Sequence, residues 1–331
     1  MSVTLKIVIL VLGSLVVFLS SPFFGIENIS PESVFLLKDP GDSDVFWKLR
    51  APRSAAAFLA GAGLSLSGLV FQALFRNPLA TPFTLGVSSG ASFGASLYFF
   101  FGGALFGGFS SVGPLFSSLC GAGLSVMLVW SITRVKGGFS TVIMLLAGVV
   151  INFFFSSLVL FVQYLSDSSD SLRIMRWLMG SLAGLETARL ADLAFVVLCG
   201  FVVIRLIASE IDLLTAGEEI AASRGVKVNK IKLLIFITAS VVVGSVVSLA
   251  GPVGFVGLMV PHACRLILGW SHKLLVPAVF FAGGAFLAFC DLVSRVILAP
   301  AEIPIGIITS MLGGPFFLWT LFKSQKTGDL F

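Results

Sequence analysis

Apolar runs roughly as long as a bilayer is thick recur ten times in this chain, near 7–24, 54–75, 83–101, 114–132, 139–165, 190–208, 231–249, 252–268, 274–295 and 304–322. A helix rises about 1.5 Å per residue and the hydrocarbon core spans about 30 Å, so about 20 apolar residues make one crossing. Of the 331 residues 57% are apolar and 11% charged, against about 25% charged in soluble domains. So little charge cannot cover a water-facing surface. With no water in the bilayer core to satisfy main-chain groups, runs of this length must close their hydrogen bonds internally as helices. The expected fold class is an all-α polytopic membrane protein with about ten transmembrane helices in one domain, 1–331.

The charges between the runs give an orientation. With both termini on the inner side, 13 of the 21 Lys and Arg but only 5 of the 16 acids lie inside. The basic excess on inner loops, carried by Arg134, Lys136, Arg224, Lys227, Lys230, Lys232, Lys323 and Lys326, predicts an N-in, C-in topology. The formal charge of +5 is thereby spread over short loops, and no nucleic-acid role is expected. The first run follows Lys6 as a secretory signal would, yet so many spans follow that it is expected to be retained. Cys120, Cys199, Cys264 and Cys290 stand singly and read as small packing residues.

Small residues mark helix contacts. Gly86, Gly90 and Gly94 recur every four residues on the third run, and Gly61, Ser65 and Gly68 nearly so on the second, which lets backbones approach closely. Two longer stretches lie between runs. Outer residues 166–189 start with a polar Ser/Asp run and continue into Met175–Gly180, which suits a short interfacial helix. Inner residues 209–230 hold Thr215 and Glu218 at capping-box spacing, with Gly225 placed to end the helix they would open.

Several motifs, in order, carry a resemblance: Arg50-Ala51-Pro52-Arg53, Gly61-Ala62-Gly63-Leu64, Gln72-Ala73-Leu74-Phe75, Asn77-Pro78-Leu79-Ala80 and Leu85-Gly86-Val87. They continue with Gly217-Glu218-Glu219, Arg224-Gly225-Val226, Gly251–Leu258, Pro261-His262, Asp291–Arg295, Glu302–Gly306 and Gly313–Phe317. Over nearly the whole chain this pattern resembles the permease subunits of siderophore, haem and cobalamin ABC importers. The resemblance implies a type II importer architecture in the bacterial inner membrane. It further implies a homodimer of ten-span subunits, a cytoplasmic ATPase dimer, and a substrate-binding protein, periplasmic or lipid-anchored, on the outer face. A metal chelate, ferric siderophore first, with haem, cobalamin or an oxyanion open, is the implied cargo. No G-x-x-x-x-G-K-[ST] phosphate cradle occurs, so hydrolysis falls to a partner and the chain itself is not expected to be an enzyme.

The resemblance also implies roles for particular residues. The 209–230 stretch becomes the ATPase-coupling loop, with Thr215, Gly217, Glu218, Glu219, Arg224 and Gly225 as its candidates. Arg50, Arg53 and Arg295 become candidates for docking the binding protein, since a guanidinium takes a carboxylate bidentately; the rival role is interfacial anchoring. On the fifth run Asn152, Phe155, Ser156 and Gln163 are the candidates for lining the pathway. No cofactor or metal is expected, because His262 and Cys264 point apart on a helix and lack a third ligand. The alternative class, an ion-gradient-driven secondary transporter of a small solute, would need ionisable residues near the midplane. Asp291 and Glu302 sit near helix ends instead.

Overall fold

The computed structural model describes residues 3–25, 27–36, 40–101, 113–134, 140–183 and 187–327. Every one of the ten apolar runs carries a helix: α1 (Val3–Ser20), α4 (Ala51–Phe75), α5 (Val87–Phe101), α6 (Gly113–Arg134), α7 (Thr141–Leu165), α9 (Thr187–Leu206), α12 (Val228–Ala250), α13 (Val256–Leu268), α14 (His272–Val296) and α15 (Ile305–Thr327). Short helices α2 (Pro31–Phe35), α3 (Pro40–Val45), α8 (Ser168–Leu178), α10 (Ala208–Ala216) and α11 (Glu218–Ser223) fill the connections. No strand occurs among the described residues. Lys136 and the tail beyond Thr327 lie outside the described residues.

Length and apolarity qualify six helical stretches as membrane-crossing among the described residues, and a seventh if α9 and α10, bent by 59°, form one span. Two of the remaining runs are shorter as helices than as apolar sequence. Pro82–Leu85 forms a separate 3₁₀ turn ahead of α5. Residues 251–255 are not helical, and Phe255, at φ 66°, gives α13 a late start, so its 13 residues rise only about 20 Å. Apolarity is blind to these breaks because Pro252 and Phe255 are as oily as helical neighbours.

Helix α4 is the axis of the bundle, with 20 of its 25 residues buried. It packs on α14, α12, α13 and α9. Its small residues explain how so many helices reach it. A Cβ at Gly68 would sit 1.8 Å from the Gly257 carbonyl oxygen, and one at Gly61 2.2 Å from that of Gly283. Such contact is the source of helix association where lipid supplies no hydrophobic force. Gly90 and Gly94 act likewise at the crossing of α5 with α6, against Gly121 and Ser117. Gly86 continues that approach from just outside the helix: at φ 73° it closes the 3₁₀ turn before α5 begins, and a Cβ there would lie 3.0 Å from Ser125 of α6 and from Ile151 of α7.

The bundle has two distinct ends. Arg53 at the start of α4 meets Asp291 near the end of α14, whereas Arg76, just past the other end of α4, donates to the Leu214 carbonyl of α10 at 3.1 Å. Lys6 reaches the Ile267 carbonyl at the α10 end, and Ser21 lies beside Arg295 at the other. Hence α1 begins at the end where α10 and α11 sit, and α8 lies opposite, its Met179 carbonyl receiving the Gly306 N–H of α15.

Candidate functional site

At the α10–α11 end the chain breaks where only glycine is comfortable. Gly217, at φ 154° and ψ 141°, separates the two short helices and is itself the N-cap of α11. This corrects the expectation that Thr215 opens the helix: its hydroxyl donates back to the Asp212 carbonyl at 2.7 Å, inside α10. Local i−3 bonding of a threonine competes with capping, and here it wins. Gly225 ends α11 as expected. At φ 83° it donates to Ala222 while Val226 donates to Ala221, the paired bonds of a Schellman motif.

These helices are not a loose connector. Glu218 pairs with the buried Lys232 of α12 at 2.6 Å. Asp212 meets the first residue of α14, accepting the His272 main-chain N–H at 2.8 Å and contacting the ring Nδ1 at 2.6 Å. Together with the Arg76–Leu214 bond, they join the element to three spans. The surface left over is compact: Glu219, Ile220, Ala222, Ser223 and Arg224 are exposed while Ala221 is buried beneath them. An apolar centre with a charged rim suits protein contact.

At the opposite end lies an ion cluster. Arg53 donates from Nε to Asp291 Oδ1 at 3.0 Å and from Nη1 to Glu302 Oε1 at 2.9 Å. Arg295 Nε stands 3.1 Å from Asp291 Oδ2, but its hydrogen points to the Asp291 main-chain oxygen, so charge rather than a hydrogen bond holds that carboxylate oxygen. The other Arg295 nitrogens bond Ser21 and the Phe24 carbonyl. Arg50 similarly gathers the carbonyls of Pro22 and Glu27. The three arginines picked from sequence thus share one place, but they differ in reach. Arg295 is 7% exposed and turned inward, Arg53 is 15% exposed, and Arg50 is half-buried over the chain that follows α1.

Beside this end a cavity of about 620 Å³ opens between Phe83, Leu178, Met179, Pro252, Gly254 and the first turns of α15, Gly306, Ile307, Ser310 and Met311. Among the described residues no charged side chain lines it. None of the four residues named on α7 does either. Phe155 is 1% exposed and stacked on Phe93 at 5.6 Å, so it belongs to the packing of α7 on α5 and not to an open face. Asn152, Ser156 and Gln163 are half-buried beside that packed stripe. Helix α8 itself is capped by Asp167, whose carboxylate accepts the Asp170 N–H at 2.9 Å; that bond and the Ser169 hydroxyl hold the carboxyl below its ordinary range.

Sequence reasoning missed three partners. Asp291 and Arg295 stand at i,i+4, a visible pair, but Arg53, Lys232 and His272 find theirs across hundreds or tens of residues, where only the fold brings them together. A fourth pairing, Arg265 with Gln72 between α13 and α4, is of the same kind. His262 lies edge-on to Phe316 and is tilted on Phe317, and no group of three potential metal ligands occurs among the described residues.

Comparison with known proteins gives a consistent picture. Residues 11–323 match the profile described as the FecCD transport family. The chain is 36% identical over 294 residues to the molybdate import system permease protein MolB of Haemophilus influenzae, covering 88% of this chain and 84% of that one. It is 32% identical over 326 residues to the hemin transport system permease protein HmuU of Yersinia pestis, covering 96% of each. A solved structure described as an inward-facing conformation of a metal-chelate type ABC transporter matches with TM-score 0.83 at 31% identity, over 95% of this chain and 98% of that chain.

Proposed function

Because the chain belongs to the FecCD transport family of ABC importer permeases, we propose that it is the ten-span, N-in and C-in subunit of a homodimeric importer in a bacterial inner membrane. A separate ATPase pair works from the cytoplasmic side and a substrate-binding protein delivers the cargo from outside. The single observation that carries the reading is the α10–α11 element. It offers a small exposed contact face and is bonded to α4, α12 and α14, as a part that receives force and passes it on must be. Residues 209–230 are the coupling loop, with Thr215, Gly217, Glu219, Arg224 and Gly225 along its open side and Glu218 drawn back to Lys232. Residues 166–189 are periplasmic.

On the outer face Arg53 and Arg50 meet acidic residues of the binding protein, and Arg295 braces them from within. Asn152, Ser156 and Gln163 line the pathway. The cargo is a ferric siderophore or a related metal chelate. Sequence identity does not choose among cargoes, since relatives named for molybdate and for hemin stand at 36% and 32%. The neutral, largely apolar cavity supports a bulky chelate over an oxyanion, which would leave its charge without a partner there. Family membership gives the gradient-driven alternative no support.

Reconstitution tests the proposal. Vesicles holding this chain and its ATPase should accumulate a radiolabelled ferric hydroxamate only with ATP and binding protein. Uptake driven by an ion gradient without ATP would overturn the assignment.

A further inference from the structure

The start of α14 is capped by another helix. Its own N-cap residue, Ser271, makes no side-chain bond to the helix. Asp212 of α10 takes that place, with one carboxylate oxygen accepting the His272 N–H at 2.8 Å and lying 2.6 Å from the ring Nδ1. A carboxylate can only accept, so Nδ1 carries the hydrogen. The negative charge also faces the positive end of the α14 dipole. His272 is 2% exposed and Asp212 34%, which puts the joint at the edge of the packed bundle with little room for the ring to swing away.

The other two ties of the loop differ from this one. Arg76 bonds a main-chain carbonyl, and Glu218 forms an ion pair from a carboxylate that is 42% exposed. Asp212 holds a span by its terminus, through two contacts to its first residue. Helix α14 runs 25 residues, about 37 Å, and carries Asp291 and Arg295 of the ion cluster in its last two turns. It packs along most of α4 on the way.

We infer that Asp212 is a positioning residue that makes α10 and α14 move as one body, so that displacement of the coupling loop is delivered along α14 to the ion cluster at the far end. This rests on the reading of α11 as the ATPase contact. Asp212 has no part in that contact, being on α10 and turned toward α14. The role asks for an acceptor at the α14 terminus more than for a charge, so asparagine should serve where alanine fails.

A distance measurement needs no knowledge of the cargo. The assembled transporter, permease dimer with its ATPase pair, carries a spin label at Val296→Cys, the exposed last residue of α14, with exposed Cys120 and Cys199 replaced by serine. The distance between the two labels is read without nucleotide and with trapped ATP. The parent protein should show an ATP-dependent shift. Asp212→Ala should copurify with the ATPase and lose most of that shift, and Asp212→Asn should keep it. A full shift in Asp212→Ala, no shift in the parent protein, or equal loss in both variants overturns the inference. So does loss of ATPase association in Asp212→Ala, which would make Asp212 part of the contact face. If Asp212→Ala does not assemble, His272→Asn is read instead: it removes the ring contact and leaves the N–H cap, and an undiminished shift overturns the joint. Failure of the underlying reading would look different, as unchanged ATPase recovery in Glu219→Lys.

Discussion

Removing Asp291 should damage this protein more than removing any exposed acid. Its side chain is 1% exposed, 3.0 Å from Arg53 and 3.1 Å from Arg295, which are themselves 15% and 7% exposed. Asp291→Ala leaves two guanidinium groups in a poorly hydrated place with Glu302 as the remaining counter-charge on one of them. Breaking a buried pair from one side costs about 3–5 kcal/mol, because the surviving charge is left uncompensated. Glu302→Ala is the internal control. Its side chain is 40% exposed and among the described residues pairs with Arg53 alone, so its loss should cost at most about 1 kcal/mol. Asp291→Asn, which keeps an acceptor for Arg53 Nε but no charge, should fall between them. Denaturation of the purified proteins in a graded mixture of mild and denaturing detergent, followed by loss of helical signal, measures the order. Equal stability of Asp291→Ala and Glu302→Ala would refute the reasoning. The same geometry changes how docking should be tested: Arg295→Glu and Arg53→Glu would each set an acid beside Asp291 and disturb the fold, so Arg50→Glu, whose bonds go to main-chain carbonyls, is the informative reversal.

Glu219→Lys should weaken copurification of the ATPase with helix content unchanged, and Glu218→Lys should do so with an added loss of stability, because it also faces Lys232. Asp167→Ala should speed amide hydrogen exchange in the first turn of α8, around Ser169 and Asp170, whereas Asp167→Asn should largely preserve protection. Since the folded Asp167 carboxyl titrates below its ordinary value, the cap is fully present above that value and lost as pH falls through the lowered one. Exchange in that turn, corrected for its intrinsic pH dependence, should therefore be flat from neutrality to about pH 5. Single cysteines at Ser43 and Ser168 should react with an impermeant reagent in sealed cells and one at Ser223 should not; labelling at Ser223 would reverse the proposed orientation.

The positions of the helices were legible in the sequence because the bilayer imposes a local rule. A stretch of about 20 apolar residues must close its own hydrogen bonds whatever its neighbours do. That is why α1, α7, α12 and α14 lie within a few residues of their expected bounds. The close approaches of Gly61, Gly68, Gly90 and Gly94 were legible for a related reason, since four-residue spacing fixes a face before any partner is known. Local turn chemistry also showed through in Gly225, which ends α11 as a residue at positive φ should.

What failed at sequence level failed where a choice depended on something distant. Thr215 and Glu218 have capping-box spacing, but Glu218 is drawn to Lys232 and Thr215 bonds within α10, leaving Gly217 as the cap. Phe155 has the look of any phenylalanine on an apolar helix, and only the arrival of Phe93 turns it into packing. The arginines could be chosen from sequence as a set, yet the partner of each was decided by the fold, Arg53 finding Asp291, a residue 238 positions away. Periodicity and composition act through the nearest few residues and therefore determine elements; the pairing of a charge is settled by whichever opposite charge the packed helices bring within about 4 Å, and that exists only once the chain has folded.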